Sequence, residues 1–182
     1  DIPVFKIKGS IHDKIWLNKI NDLEPDLIIC VRYGEILKKS LLTVPNIGVI
    51  NFHPSLLPKY KGLGPIFQAL LHDENEIGFS FHYIDEDVDA GEIIKRQKIK
   101  TKKNESVSRI TIRAHVAGGY ELLSVINNIK KGNKKTEEVI QDVGNFFSWP
   151  EKNDVKKFIQ SNKKYVEFRD FLSLVFYNPK KF

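Results

Sequence analysis

The stretch Ile47-Gly48-Val49-Ile50-Asn51-Phe52-His53-Pro54-Ser55-Leu56-Leu57-Pro58 decides the fold. Its first half is a short apolar run, the pattern of a buried strand. Asn51 and His53 stand two residues apart at its end, so an extended backbone turns both side chains to the same side. Pro54 and Pro58 stop the strand and stiffen the exit. Tyr60-Lys61-Gly62-Leu63-Gly64-Pro65 then carries the loop to the next helix. With the later carboxylate of Asp89, an amide and an imidazole at the open end of a sheet are what acyl transfer without a covalent enzyme intermediate requires.

Upstream of this strand, Asp26-Leu27-Ile28-Ile29-Cys30-Val31 is a second continuous apolar run after Pro25, as expected of a parallel strand buried on both faces. The span 35–42 reads as a helix ended by Pro45. Further back, 2–8 reads as a short strand, and His12 to Asn21 as a helix with Ile11, Ile15 and Ile20 at roughly helical spacing. Downstream, a helix is expected over 65–72 with Pro65 in its first turn. The span 77–84 alternates, Phe79, Phe81 and Tyr83 on one side against Ser80, His82 and Ile84 on the other. The acidic loop 85–90 joins it to a strand over 91–99. Val107 to Lys130 carries apolar residues at spacings of three and four and reads as the longest helix, ended by Gly132. Phe146-Phe147-Ser148-Trp149-Pro150 reads as an aromatic turn before a short helix over 151–160. Strands alternating with helices give an α/β fold with a mostly parallel sheet flanked by helices.

The 182 residues suit one domain and bury a real core. With 41% hydrophobic and 29% charged residues the chain reads as soluble and globular, and no apolar run approaches the ~20 residues of a membrane span. A single cysteine, Cys30, excludes an internal disulfide and fits a cytoplasmic setting. The net charge of +6 comes largely from scattered lysine pairs (Lys38-Lys39, Lys130-Lys131, Lys134-Lys135, Lys156-Lys157, Lys163-Lys164, Lys180-Lys181), a pattern of solvated faces rather than a nucleic-acid surface. The chain has no methionine and opens on Asp1, so either it is processed or its natural start lies upstream.

Taken singly, the site candidates have ordinary explanations: Asn51 an Asx turn, His53 a surface histidine, Asp89 a turn residue before Ala90-Gly91. Cys30, inside an apolar strand, reads as a core thiol. His12, His72 and His115 have no partner visible in the sequence. No Cys/His cluster offers a metal site.

Together, Asn51, His53-Pro54-Ser55-Leu56-Leu57-Pro58, Gly62 and Asp89-Ala90-Gly91, with His82 on the strand before, resemble the core of the folate-dependent formyltransferases. The resemblance covers most of residues 1–130. It implies a Rossmann-like formyltransferase fold with 10-formyltetrahydrofolate as donor, and no metal. An amine attacks the formyl carbon, Asn51 and a protonated His53 hold the oxyanion, and Asp89 keeps His53 charged and takes the amine proton. By the same resemblance Tyr33, Gly34, Glu35, Ile36 and Leu37, with Asp85, Glu86 and Val88, would hold the pterin. Ser55, Lys59, Gly62 and His82 would face the acceptor.

The family's first βαβ unit, which helps to hold the acceptor, is absent, since the residues from Asp1 already resemble a third strand. Residues 1–144 are therefore expected to be a catalytic domain incomplete at its N-terminus, and 145–182 a short aromatic and lysine-rich extension. The bared sheet edge invites a homodimer contact. The tail Phe147-Ser148-Trp149-Pro150 with Asp154, Val155 and Phe158 resembles the branch acting on nucleotide-linked amino sugars, as in lipopolysaccharide biosynthesis. Glycinamide ribonucleotide formylation, a folate-binding remnant without activity, and tRNA formylation are the other readings.

Overall fold

The computed structural model describes residues 2–102, 104–133, 136–137 and 144–170. The lysine pairs at 134–135 and 180–181, and the tail beyond residue 170, lie outside them.

The elements run α1 (Lys14–Asp22), β1 (Leu27–Val31), α2 (Lys39–Leu42), β2 (Gly48–His53), β3 (Lys61–Gly62), α3 (Pro65–Leu71), β4 (Ile77–Tyr83), β5 (Ile93–Ile99), α4 (Val107–Lys130), β6 (Phe146–Phe147) and α5 (Lys152–Gln160). The four-stranded sheet has the order β1-β2-β4-β5. The α/β class is as expected. The parallel character lies in the β1–β2 pair, while β4 and β5 join antiparallel, so the main sheet is mixed.

The sheet is buried at its centre. β4 is buried along nearly its whole length, with Phe79 and Phe81 fully so. Phe52 of β2 packs against both rings at centroid distances of 5.3 and 5.5 Å, which places the largest apolar contribution midway across the sheet. Helix α4 crosses this cluster with Ile110, Ala114, Val125 and Ile129 inward. It approaches β2 closely at Gly118, where a Cβ would strike the Phe52 ring. Its N-terminus is capped by Ser106, whose Oγ accepts from Arg109 N at 3.1 Å. Its bounds are those the spacing predicts.

Four expectations are corrected. Residues 2–8 form no strand, because none of the described strands pairs with them. Ile2 and Val4 are each 90% exposed. β1 is not buried on both faces: among the described residues it is an edge strand, with Ile29 and Val31 open to solvent. The helix expected over 35–42 shrinks to four residues. Leu37 turns into the second core cluster with Leu41 and Val49, and Glu35 is drawn off by hydrogen bonds to Ser10 and Tyr33. The aromatic turn is in part a strand: Phe146 and Phe147 pair in parallel with Lys61 and Gly62. Beyond it, α5 opens with a capping hydrogen bond from Glu151 N to Asp154 Oδ2 at 3.1 Å. It packs on α3 through Phe158 stacked on Phe67, with centroids 4.5 Å apart.

Candidate active site

Strand β2 delivers Asn51 and His53 to the carboxyl end of the parallel pair, where open α/β sheets bind ligands. β4 runs antiparallel beside it and places His82 opposite Asn51 and Ser80 opposite His53. The loop after β4 returns Asp89 to the same point in a left-handed conformation, φ 51°. Backbone held in that region costs about 1–3 kcal/mol and gathers at functional sites.

Everything here meets on the Asp89 carboxylate, whose side chain is only 10% exposed. Oδ2 accepts from Gly62 N at 2.8 Å and lies 3.4 Å from His53 Nδ1. Oδ1 lies 3.4 Å from His82 Nε2 and 3.4 Å from Asn51 Nδ2, and Asn51 Nδ2 is itself 3.1 Å from His82 Nε2. The other nitrogen of each ring is committed to backbone. His53 Nε2 donates to Tyr60 O at 2.9 Å, and His82 Nδ1 donates to Tyr83 O at 2.8 Å. A carbonyl can only accept, so neutral His53 carries its proton on Nε2 and turns a bare Nδ1 toward Asp89.

The electrostatics correct one expectation. His53 is not held charged by Asp89. Burial lowers its pKa below the ordinary imidazole value and outweighs the opposing pull of Asp89 and of Tyr60 O. Desolvation of a ring buried to this depth exceeds one carboxylate contact at 3.4 Å. Burial also pushes Asp89 up. The hydrogen bond to His82, and with it the Gly62 N–H, outweigh it, so the carboxyl sits below its usual range. A neutral imidazole thus faces a carboxylate, ready to receive one proton between them.

The loop after β2 is braced from several directions. Ser80 Oγ, fully buried, donates to Ser55 O at 2.7 Å and accepts from Leu57 N at 3.0 Å. Arg96 Nη1 donates to Leu57 O at 3.2 Å. Ser55, expected to face an acceptor, is buried, and its hydroxyl donates to Lys59 O at 2.7 Å. Lys59 Nζ bonds Glu74 at 3.2 Å. Neither joins the Asp89 cluster, whereas Gly62 and His82 do. A cavity of about 310 Å³ opens beside Asp89, lined in part by Leu57, Pro58, Lys61, Gly91 and Thr136, room for part of a small ligand.

The segments expected to hold a pterin are more open. Tyr33 Oη donates to Glu35 at 3.0 Å, and Glu35 accepts from Ser10 Oγ at 2.5 Å, the contact that lowers its pKa most. Gly34 is exposed and Ile36 is 70% exposed, while Leu37 is buried. In the acidic loop, Asp85 Oδ1 accepts from Asp87 N at 3.0 Å, and Glu86 and Val88 face solvent. The three histidines without a visible partner each have one, a backbone carbonyl: Ile36 O for His12, Gln68 O for His72 and Thr111 O for His115. Cys30 lies among the partly buried residues of the second core cluster, and burial raises its pKa, as befits a core thiol.

One contributor escapes sequence reasoning: Tyr60 acts through its carbonyl, which any residue possesses. Gly62, expected to face the acceptor, instead joins the cluster through its amide. His82 was legible, since the alternation of β4 puts it on the face of Ser80 and opposite the Phe79–Phe81 face.

Residues 6–126 match the family model described as formyl transferase. The chain is 39% identical over 145 residues to methionyl-tRNA formyltransferase of Staphylococcus aureus, which covers 78% of this chain and 45% of that protein. It therefore spans about half the length of the curated relatives it matches. Among solved structures it is similar to a sugar N-formyltransferase from Shewanella (TM-score 0.65, 16% identity, 76% of this chain and 55% of that one). It is also similar to the formyltransferase PseJ from Anoxybacillus kamchatkensis, solved with a UDP-linked formamido sugar and tetrahydrofolate (TM-score 0.63, 22% identity, 87% and 76%). At these identities the structures speak for the fold, and the sequence match carries the rest: this chain belongs to the formyl transferase family.

Proposed function

We propose that the chain transfers a formyl group from 10-formyltetrahydrofolate to the primary amine of a phosphorylated acceptor, with Asn51, His53 and Asp89 as catalytic residues. The observation that carries this reading is the convergence of Asn51, His53 and His82 on one buried carboxylate. The attacking nitrogen adds to the formyl carbon, and the carbonyl oxygen becomes an oxyanion. The amine's proton passes to the Asp89–His53 pair. His53, neutral beforehand, becomes an imidazolium as the oxyanion forms, so the charge that stabilises the oxyanion arises in the transition state rather than before it. Asn51 N–H is the second donor. Collapse expels the tetrahydrofolate nitrogen, which recovers the proton. Tyr33 to Leu37, with Asp85, Glu86 and Val88, supply the pterin's backbone partners and apolar cover.

A nucleotide-linked amino sugar is the acceptor in this reading. It is supported by the likeness to PseJ, which extends over 87% of the chain and so beyond the stretch shared with the curated relatives. A second reading, methionyl-tRNA, is favoured by the 39% identity. A cytoplasmic location fits either, and no helix among the described residues is long and apolar enough to cross a membrane. The homodimer contact over the β1 edge belongs to the same proposal. The test offers the chain 10-formyltetrahydrofolate with a UDP- or dTDP-linked 4-amino sugar, glycinamide ribonucleotide or methionyl-tRNA, and reads the formylated product by mass. Product with the sugar alone is expected. Product with tRNA alone selects the second reading, and none with any amine overturns both.

A further inference from the structure

The segment 144–147 lies beyond the residues that match the family model, yet it sits on the loop that serves the Asp89 cluster. β6 runs parallel to β3. Lys61 N donates to Asn145 O at 3.0 Å, and Leu63 N to Phe147 O at 2.8 Å. The approach is close enough to exclude side chains. A Cβ on Gly62 would strike Phe147 O, and one on Gly144 would strike Pro58 O, both glycines having positive φ. The Phe147 ring stacks on Tyr60 with centroids 5.4 Å apart and planes at 23°. His72 closes the group at 5.6 Å from Phe147 and 5.9 Å from Tyr60.

Tyr60 is therefore clamped as a side chain while its backbone is held left-handed, φ 57°, a conformation that a bulky residue adopts only under constraint. That same residue presents the carbonyl which accepts from His53 Nε2, and two residues on, Gly62 N donates to Asp89. One short loop thus fixes both members of the proton-accepting pair, and β6 holds that loop from outside. A hydrogen bond at one imidazole nitrogen determines which nitrogen carries the proton, and a constellation of this kind is only as accurate as the packing behind it.

We propose that Phe147 is a positioning residue: by stacking on Tyr60 it holds the Tyr60 carbonyl against His53 Nε2, and so keeps His53 Nδ1 bare and turned toward Asp89. The consequence for turnover rests on the function proposed above, whereas the consequence for His53 does not.

The experiment labels the histidines of the full chain with nitrogen isotope and reads the ring nitrogens of His53 by long-range proton–nitrogen correlation in wild type, Phe147→Leu, Phe147→Ala and Phe147→Tyr. Wild type is expected to show a protonated Nε2 and a bare Nδ1. Phe147→Leu and Phe147→Ala are expected to move both signals toward a mixture of tautomers, and Phe147→Tyr, which keeps the stack, to restore them. In a formyl-transfer assay the same two variants lose up to about 10²-fold in kcat with the donor KM unchanged, the scale on which small misplacements act. His53 nitrogens unchanged in either folded variant overturn the proposal. Unfolding of both variants also overturns it, since the ring is then a core residue. A wild-type chain that forms no product refutes the functional reading alone, and the nitrogen spectra still decide this one.

Discussion

Two neighbouring strand ends of the same parallel pair are built on opposite plans. At the end of β2 the polar groups are buried and turned inward: His53, His82 and Asp89 are each at most 10% exposed as side chains and bond to one another or to backbone. At the end of β1, Arg32 through Ile36 are exposed, and Ile36 offers an uncovered apolar side chain. The first arrangement is preorganised, with its desolvation already borne by the fold, so it has little to reorganise during a proton transfer. The second has surface still to bury, which is what a binding segment needs. On the proposed function, this difference would separate chemistry from recognition before any ligand arrives, and the outcomes below overturn or refine that separation.

The largest effect is expected at β2. Asp89→Asn and His53→Ala should each lower turnover by on the order of 10²-fold or more while donor affinity holds, because each removes half of the proton acceptor. Titration with reduced folate beside the transfer assay checks this. Donor binding lost together with turnover would mean that the two ends are a single unit.

On the β1 side the converse holds. Ile36→Asp should weaken reduced-folate binding at least about tenfold, since losing a buried Ile contact alone costs about 1.5–3 kcal/mol, and leave the His53 nitrogen signals where they are. Calorimetric titration decides it. Unchanged affinity would remove Ile36 from the donor site.

The same division shows in what the sequence could reveal. The β2 end was legible because its residue types are unusual for a strand end and because the period of two fixes which side chains share a face. The bounds of α4 were legible because its apolar stripe is long and bounded by Ser106 and Gly132. What failed depended on neighbours. Residues 2–8 have the composition of a strand, but a strand exists only when another pairs with it. β6 is two residues long, too short for any period to register, and it exists because the loop at Lys61 accepts it. The charge of His53 is not legible in the sequence, which displays Asp89 as a possible partner but not the depth of burial that outweighs it.

Burial of the neutral rings makes stability depend on pH with a definite sign. His53 and His115 both have pKa values lowered first by burial, so the unfolded chain binds protons more readily than the folded one. Stability should therefore fall as pH drops below about 6.5, the ordinary imidazole value. The loss stops once pH lies below the lowered values. Asp89, also lowered, acts in the same direction at more acid pH: its contribution is present above the ordinary carboxylate value and is lost as pH falls through the folded one. Thermal unfolding from pH 8 to 5 measures the histidine part. His115→Gln should flatten that slope without touching turnover, since His115 sits on α4 against Phe52 and away from Asp89. A slope that stays as steep would assign it to other groups.

The smallest effect tests the boundary itself. Cys30 lies on β1 directly opposite Asn51 in the register of the parallel pair. Yet its side chain joins the other cluster, with Leu41, Leu42 and Val49, on the side that packs α1 and α2 beneath the sheet. Cys30→Ser keeps the shape but places a hydroxyl among aliphatic side chains, which costs about 1 kcal/mol at a half-buried position where a fully buried one costs ~1–3. For a chain of this length that is a fall in Tm of about 2–4 °C. Turnover should change little: the thiol lies on the same face of the sheet as Asn51 and feels the Asp89 charge, but among the described residues no hydrogen bond joins it to the Asp89 cluster. A melting shift with unchanged kcat places the boundary between β1 and β2. A tenfold loss of kcat in a variant that melts normally would show that the packing under β1 sets the position of Asn51, and the division between a prebuilt chemical end and an open binding end would then have to be drawn on the far side of β1.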